Sequence, residues 1–246
     1  MDKFLILSDL HLDLENEITD EILHNYLQTA LNENYIIILN GDIIDIIKNE
    51  LVNFQREYNR IKQKYKKTIG LLSNERIIYI KGNHDSVLKR LNIHSNIKNE
   101  YDILYDNYEI HIEHGSNYDL PNGKCHYIGD FIARCWSCCN PHMLLSEDFI
   151  DHLEDIEEKT SHKKLKKHAF NYDLTIFGHT HLSYLKTNHL NKSYLNTGSL
   201  NENIINENIV LIKKRENIVN EVTIIRNEKN IQTGIIIETI IKKIIK

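Results

Sequence analysis

The chain has 246 residues, 41% of them apolar and 26% charged, with a formal net charge of −5. That length buries one sizeable core, so a single domain over residues 1–246 is expected. The acidic balance removes the electrostatic basis for general nucleic-acid binding, which depends on clustered Lys and Arg.

The apolar run at residues 4–7 reads as a first strand and ends at Ser8 and Asp9, too soon for the apolar region of a signal peptide. No uninterrupted apolar run approaches the length of a membrane span, so a cytoplasmic chain with no transmembrane segment is expected. A helix near residues 20–32, a strand at 36–39, a helix near 51–72 and a strand at 77–80 follow. The second helix rests on Phe54, Tyr58, Ile61, Tyr65 and Ile69, spaced three or four apart with Lys and Arg between them. This alternation is the rhythm of a layered α/β fold.

Residues 108–113 alternate, with Ile110 and Ile112 between polar neighbours. From 116 to 172 the pattern breaks into His, Cys and charge, which reads as an insertion. Its four cysteines, Cys125, Cys135, Cys138 and Cys139, are clustered, unlike a disulfide framework. They read as reduced thiols, packed in an apolar helix with Phe131, Ile132 and Trp136, against the alternative of a structural zinc with His142. His162, His168 and the lysines between them read as a solvated helix face. Strand-like segments return at 174–177, 193–196, 209–212 and 222–225, and residues 235–246 fit a strand, a docked helix or a frayed tail. With only Pro121 and Pro141, and no Gly/Ser-rich linker, nothing separates independent domains.

The strand candidates share a chemical ending: Asp9 and His11, Asp42, Asn83, His114, and His179 with His181. In α/β layers, ligands gather beyond the carboxyl ends of strands, where loops converge without disturbing the core. In Asp9-Leu10-His11 and His179-Thr180-His181 the outer residues are two apart and face the same way in extended chain. Gly41 and Gly82 precede two of the donors, where a tight turn or close backbone approach favours a missing side chain. Seven donors mixing carboxylate, amide and imidazole exceed what one tetrahedral ion needs. They suit two divalent ions, Mn first, with Fe, Zn, Ni or Mg as alternatives. Two ions about 3.5–4 Å apart clamp a phosphoryl group and generate a hydroxide at neutral pH.

The series Asp9-x-His11, Gly41-Asp42-x-x-Asp45, Gly82-Asn83-His84-Asp85, His114-Gly115 and Gly178-His179-Thr180-His181 resembles the calcineurin-like metallophosphoesterase family. Asn196-Thr197-Gly198-Ser199 resembles the strand-end turn that follows the last motif. The resemblance implies a layered sandwich of mixed β-sheets flanked by helices, with a helical cap at 116–172. It also implies a dinuclear metal centre: Asp9, His11 and His181 on one ion, Asn83, His114 and His179 on the other, and Asp42 bridging. His84 would face the substrate as general acid, oriented by Asp45 or Asp85; the alternative for these two carboxylates is a turn or helix cap.

Ile46 stands where Ser/Thr protein phosphatases carry Arg, and Asp85 where they carry Glu. The length and the insertion are similar to those of UDP-2,3-diacylglucosamine diphosphatases, which usually show Arg in place of His84. The expected activity is hydrolysis of a phosphodiester or pyrophosphate bond in a small or nucleotide-like phosphate ester. The alternatives are a phosphomonoesterase or protein phosphatase, and a non-catalytic binding scaffold. Against the scaffold, no ligand position is substituted and His84 is present.

Overall fold

The computed structural model describes residues 3–13, 18–45, 54–84, 97–105, 108–118, 169, 171–181, 184–198, 206–215, 218–229 and 236–245. Three strands open the first sheet: β1 (Lys3–Leu7), β2 (Tyr35–Asn40) and β3 (Ile77–Ile80). Each is apolar along nearly its whole length, the pattern of parallel strands buried on both faces. β1 pairs parallel with β2, β2 with β3, and β3 with the short β4 (Ile97–Lys98). On the other side of β1 three long antiparallel strands complete a seven-stranded sheet: β10 (Asn206–Arg215), β11 (Ile218–Lys229) and β12 (Ile236–Ile245). The second sheet has five strands in the order β5-β6-β7-β9-β8. These are β5 (Glu100–Tyr105), β6 (Tyr108–Glu113), β7 (Leu174–Phe177), β8 (Tyr184–Thr187) and β9 (Ser193–Asn196). β6, β7 and β9 run parallel.

Strand parity divides the core in two. Phe4 and Ile6 of β1 join Ile38, Ile78 and Ile80 against Ile103, Ile110, Ile112, Leu174, Ile176 and Leu195 of the second sheet. Leu5 and Leu7 face the other way, onto Leu23, Leu27 and Leu31 of helix α1 (Asp20–Asn32) and onto Ile61 and Tyr65. The result is a sandwich of two mixed sheets with helices on the outer face of the first. Thr19 starts α1 by accepting a hydrogen bond from the Ile22 N–H at 3.3 Å, and Asp20 and Glu21 add the negative charge a helix start favours.

The helix expected at 51–72 is interrupted. α2 (Phe54–Lys64) and α3 (Lys66–Leu71) are separate elements, with Tyr65 between them at φ −109° and ψ 43°. The cause lies in α1: the Asp20 carboxylate accepts the N–H groups of Lys67 and Thr68, both at 2.9 Å. A distant residue thus supplies a new helix start that the local 3.6-residue period does not reveal. Residues 51–53 lie outside the described residues. β4, β5 and β8 are additional strands, and β10 and β11 extend well past the expected 209–212 and 222–225. Of the three options for the C-terminal segment, the strand is realised as β12.

Residues 116–118 form a 3-10 turn, Ser116–Tyr118. The rest of the expected helical cap, apart from 169, 171 and 172, lies outside the described residues, as do all four cysteines, His142, His162 and His168. Among the described residues no helix is long and apolar enough to cross a membrane.

Ile110 is fully buried between the sheets, whereas Leu104 on the neighbouring strand is 67% exposed. Ile110→Ala is expected to cost about 2–5 kcal/mol in urea denaturation. Leu104→Ala is expected to stay within about 0.5 kcal/mol of the parent.

Candidate metal centre

Because β1, β2 and β3 run parallel, the loops after them emerge along one edge of the first sheet. They carry Asp9 and His11, Asp42 with Asp45, and Asn83 with His84. The loops after β6 and β7 carry His114, and His179 with His181. The backbones interlock: the Asp9 and His11 N–H groups donate to the carbonyls of Gly41 and Asp42, each at 3.0 Å, and the Gly178 N–H donates to His114 at 3.0 Å.

All seven expected donors are brought together. The Asp9, His11 and His181 side chains place ligand atoms within 4.8 Å of one another, and Asp42, His114 and His179 form a second such set. Asn83 Oδ1 lies 3.1 Å from His114 Nε2, which is itself 3.0 Å from Asp42 Oδ2. The two sets are stitched by main chain: the His179 N–H meets both Asp9 oxygens, at 3.1 and 3.0 Å. His84 sits beside them, its N–H donating to Asp42 Oδ1 at 2.8 Å and its Nδ1 3.2 Å from Asp45 Oδ1. Asp45 also lies 3.4 Å from His11 Nδ1, so this carboxylate faces two imidazoles. Asp85 lies outside the described residues.

Five of these residues are held in a left-handed backbone conformation: Asp9 (φ 51°), His11 (42°), Asp42 (52°), His179 (74°) and His181 (57°). Non-glycine residues seldom adopt it, and such strain gathers where a site requires a geometry that the rest of the fold enforces. Gly41, Gly82 and Gly178 are required by close approach, the last against Asp9 and Ser8. Gly41, at φ 84°, lies against the His114 imidazole, and Gly82 lies against the Asp42 carboxylate and backbone nitrogen.

Burial alone raises the Asp9 pKa, but the positive charge of His114 and a hydrogen bond from His11 bring it below the ordinary value, against repulsion from Asp42. Asp42 and Asp45 are likewise desolvated yet held well below the carboxylate range, Asp42 chiefly by His114 and Asp45 by His11 and His84. Desolvation lowers the histidines, and the same carboxylates overcome it: Asp45 and Asp9 push His11 up to about 10, and Asp42 and Asp9 push His114 up to about 10. His84 is raised too, by Asp45 and Asp42 against its desolvation. The site therefore gathers buried anionic oxygen that demands positive charge close by. Carboxylate, amide and imidazole donors around two mutually repelling carboxylates fit divalent metal binding.

Asn40, which no motif singled out, and Thr197, from the expected strand-end turn, support the site. The Asn40 carbonyl lies 2.9 Å from His114 Nδ1, which turns Nε2 toward Asp42, and the Asn40 side chain donates to the Glu113 carbonyl at 3.0 Å. Thr197 hydrogen-bonds Ser8 and the Phe177 carbonyl, joining the ends of β1, β7 and β9. A further donor group, Glu100, His111 and Glu113, lies on the opposite face of β6. There Asp102 is 2.6 Å from His111 Nδ1 and Glu113 is 3.4 Å from Nε2, while the ring stacks on Tyr172. Burial lowers the His111 pKa, but Glu113 and Asp102 raise it overall, which favours an imidazolium ion-paired to both.

Gly41→Ala and Gly82→Ala each place a methyl group on a site side chain, so both are expected to lower the unfolding midpoint. Gly70, in α3, has open space where a methyl would go. Gly70→Ala is expected to raise stability by about 0.5–1 kcal/mol. Urea titration of the three variants checks the contrast in sign.

The family model for calcineurin-like phosphoesterases matches residues 2–183. No curated protein matches the chain. Among solved structures, Yfce, a phosphoesterase from E. coli, is 13% identical with a TM-score of 0.47, covering 99% of this chain and 98% of that one. Vacuolar Protein Sorting 29 of Cryptosporidium parvum is 14% identical with a TM-score of 0.49, covering 100% and 98%. A predicted phosphoesterase from Streptococcus pneumoniae is 11% identical with a TM-score of 0.44, covering 97% of each chain. The family match spans every motif from Asp9 to His181, and the chain belongs to the calcineurin-like phosphoesterase family.

Proposed function

We propose that the protein is a metal-dependent hydrolase that cleaves a phosphodiester or pyrophosphate bond in a small or nucleotide-like substrate, using two divalent cations, manganese first among the candidates. The observation that carries this reading is the meeting of Asp9, His11 and His181 with one another, and of Asp42, His114 and His179 with one another, each set within 4.8 Å. In this reading the first set would hold one cation, His114, His179 and Asn83 would hold the other, and the Asp42 carboxylate would serve both. A cation pair so held supplies positive charge to the phosphoryl oxygens and lowers the pKa of the attacking water.

The chain's own groups do the rest. Asp9 and Asp42 are kept ionised in a buried setting, so they offer oxygen donors without first losing a proton. The Asn40 carbonyl, on His114 Nδ1, keeps the other ring nitrogen directed into the site. His84 is partly exposed beside the donors, and Asp45 engages its Nδ1. A proton on Nε2 is then the one available to the leaving oxygen, which makes His84 the general acid.

The chain is read as one domain, with residues 116–172 as a cap beside the site, because the insertion departs from the loop that carries His114 and returns to the strand before His179. A cytoplasmic location goes with the clustered cysteines read as reduced thiols.

The test is a substrate panel with Mn: bis(p-nitrophenyl) phosphate, p-nitrophenyl phosphate and UDP-sugars. Diester or pyrophosphate turnover is expected, and turnover of the monoester alone would contradict the proposed specificity. His84→Ala is expected to slow an unactivated substrate by about 10²–10⁴-fold. It should slow bis(p-nitrophenyl) phosphate less, since that leaving group needs little protonation. Full turnover of the unactivated substrate by His84→Ala would remove the general-acid role.

A further inference from the structure

We propose that Asn196 is a positioning residue for the metal centre: its side-chain amide anchors the loop that gives one histidine to each cation, and so sets how the two half-sites face each other. The inference rests on the metal-site reading above. Asn196 ends β9, beside Phe177 at the end of β7, and is buried. Its Nδ2 donates to the Gly178 carbonyl at 2.6 Å and to Thr180 Oγ1 at 3.1 Å, while its Oδ1 accepts the Gly198 N–H at 2.9 Å. Gly178 and Thr180 are the residues immediately before His179 and between His179 and His181.

The amide orientation follows from its neighbours. The atom that faces the amide at Gly178 is the carbonyl oxygen and at Gly198 the N–H, so nitrogen must face the first and oxygen the second. Both histidines of the loop are in the left-handed region, at φ 74° and 57°. A loop carrying two such residues relaxes unless something outside it holds it. Among the holds on it, the His114 carbonyl takes the Gly178 N–H, the Asp9 carboxylate takes the His179 N–H from the metal side, and Asn196 takes the loop from behind. Thr180 is therefore the loop's handle: its hydroxyl reaches back to Asn196 as the flanking imidazoles meet His114 and His11. Moving this loop alters both half-sites together, because His179 belongs to one and His181 to the other.

Asn196→Asp tests this with almost no change of volume, since it sets a carboxylate oxygen against the Gly178 carbonyl in place of a donor. Thr180→Val removes only the hydroxyl contact, and Thr180→Ser restores it. The full chain, stripped with a chelator, is dialysed against graded Mn²⁺, and bound Mn is counted beside a urea midpoint measured without metal. The Mn²⁺ concentration for half-occupancy is expected to rise about 10–100-fold in Asn196→Asp, the range for loss of a residue that orients metal ligands. Thr180→Val is expected to shift it in the same direction and Thr180→Ser to return it toward the parent. Excess Mn²⁺ is expected to recover much of the kcat on bis(p-nitrophenyl) phosphate. Parent-like Mn affinity in folded Asn196→Asp and Thr180→Val would overturn the inference while leaving the metal site standing. A parent chain that binds no Mn²⁺ would overturn both. Should Asn196→Asp fail to fold, the two Thr180 variants decide, because Thr180 is only partly buried.

Discussion

Two buried carboxylates, Asp9 and Asp42, lie at the ends of adjacent parallel strands close enough to repel each other. A single ionised carboxylate out of water is costly, and two side by side are worse unless positive charge is supplied. Much of what surrounds them answers that demand. The His179 and His84 N–H groups point at their oxygens, and the imidazoles of His11, His114 and His181 lie within 4 Å of them. The left-handed backbone at five donors and the glycines at 41 and 82 are the local cost of crowding these groups together. The apolar sandwich beneath is what makes that crowding tolerable, since its strand ends are too well packed to drift apart.

The fold contributes through direction. Parallel β1, β2 and β3 deliver three loops to one edge of the first sheet, and parallel β6, β7 and β9 deliver three more from the second. β6 shows how parity separates roles on one strand. Ile110 and Ile112 enter the core, while His111 faces away into an ion-paired cluster on the outer side. The loop that follows turns His114 toward Asp42. One strand thus serves core, a buried ion-paired cluster and the site without conflict.

Much of this was legible in the sequence because it is local. The alternation in β6, the apolar runs of β1 to β3 and the paired donors flanking Leu10 and Thr180 are all patterns within a few residues. What escaped is relational. The break at Tyr65 depends on Asp20, whose carboxylate caps α3 from 47 residues away in the chain. β4 and β8 are short and owe their existence to the strands beside them. The polar start of β10, Asn206-Glu207-Asn208, is a poor strand sequence by propensity, yet the ladder to β11 extends through it. Asn40 carries no signal of chemistry by itself, and the turn at Asn196 and Thr197 was legible as a motif but not as a hold, because each acts on a loop that comes from another strand.

The central claim is that donors spread from Asp9 to His181 hold a pair of cations between the two sheets. Anomalous diffraction from crystals grown with Mn²⁺ tests it most directly. The account predicts two neighbouring peaks, one bounded by Asp9, His11 and His181, the other by Asn83, His114 and His179, with the Asp42 carboxylate touching both. No peak at these residues, or manganese bound only elsewhere on the chain, would contradict it.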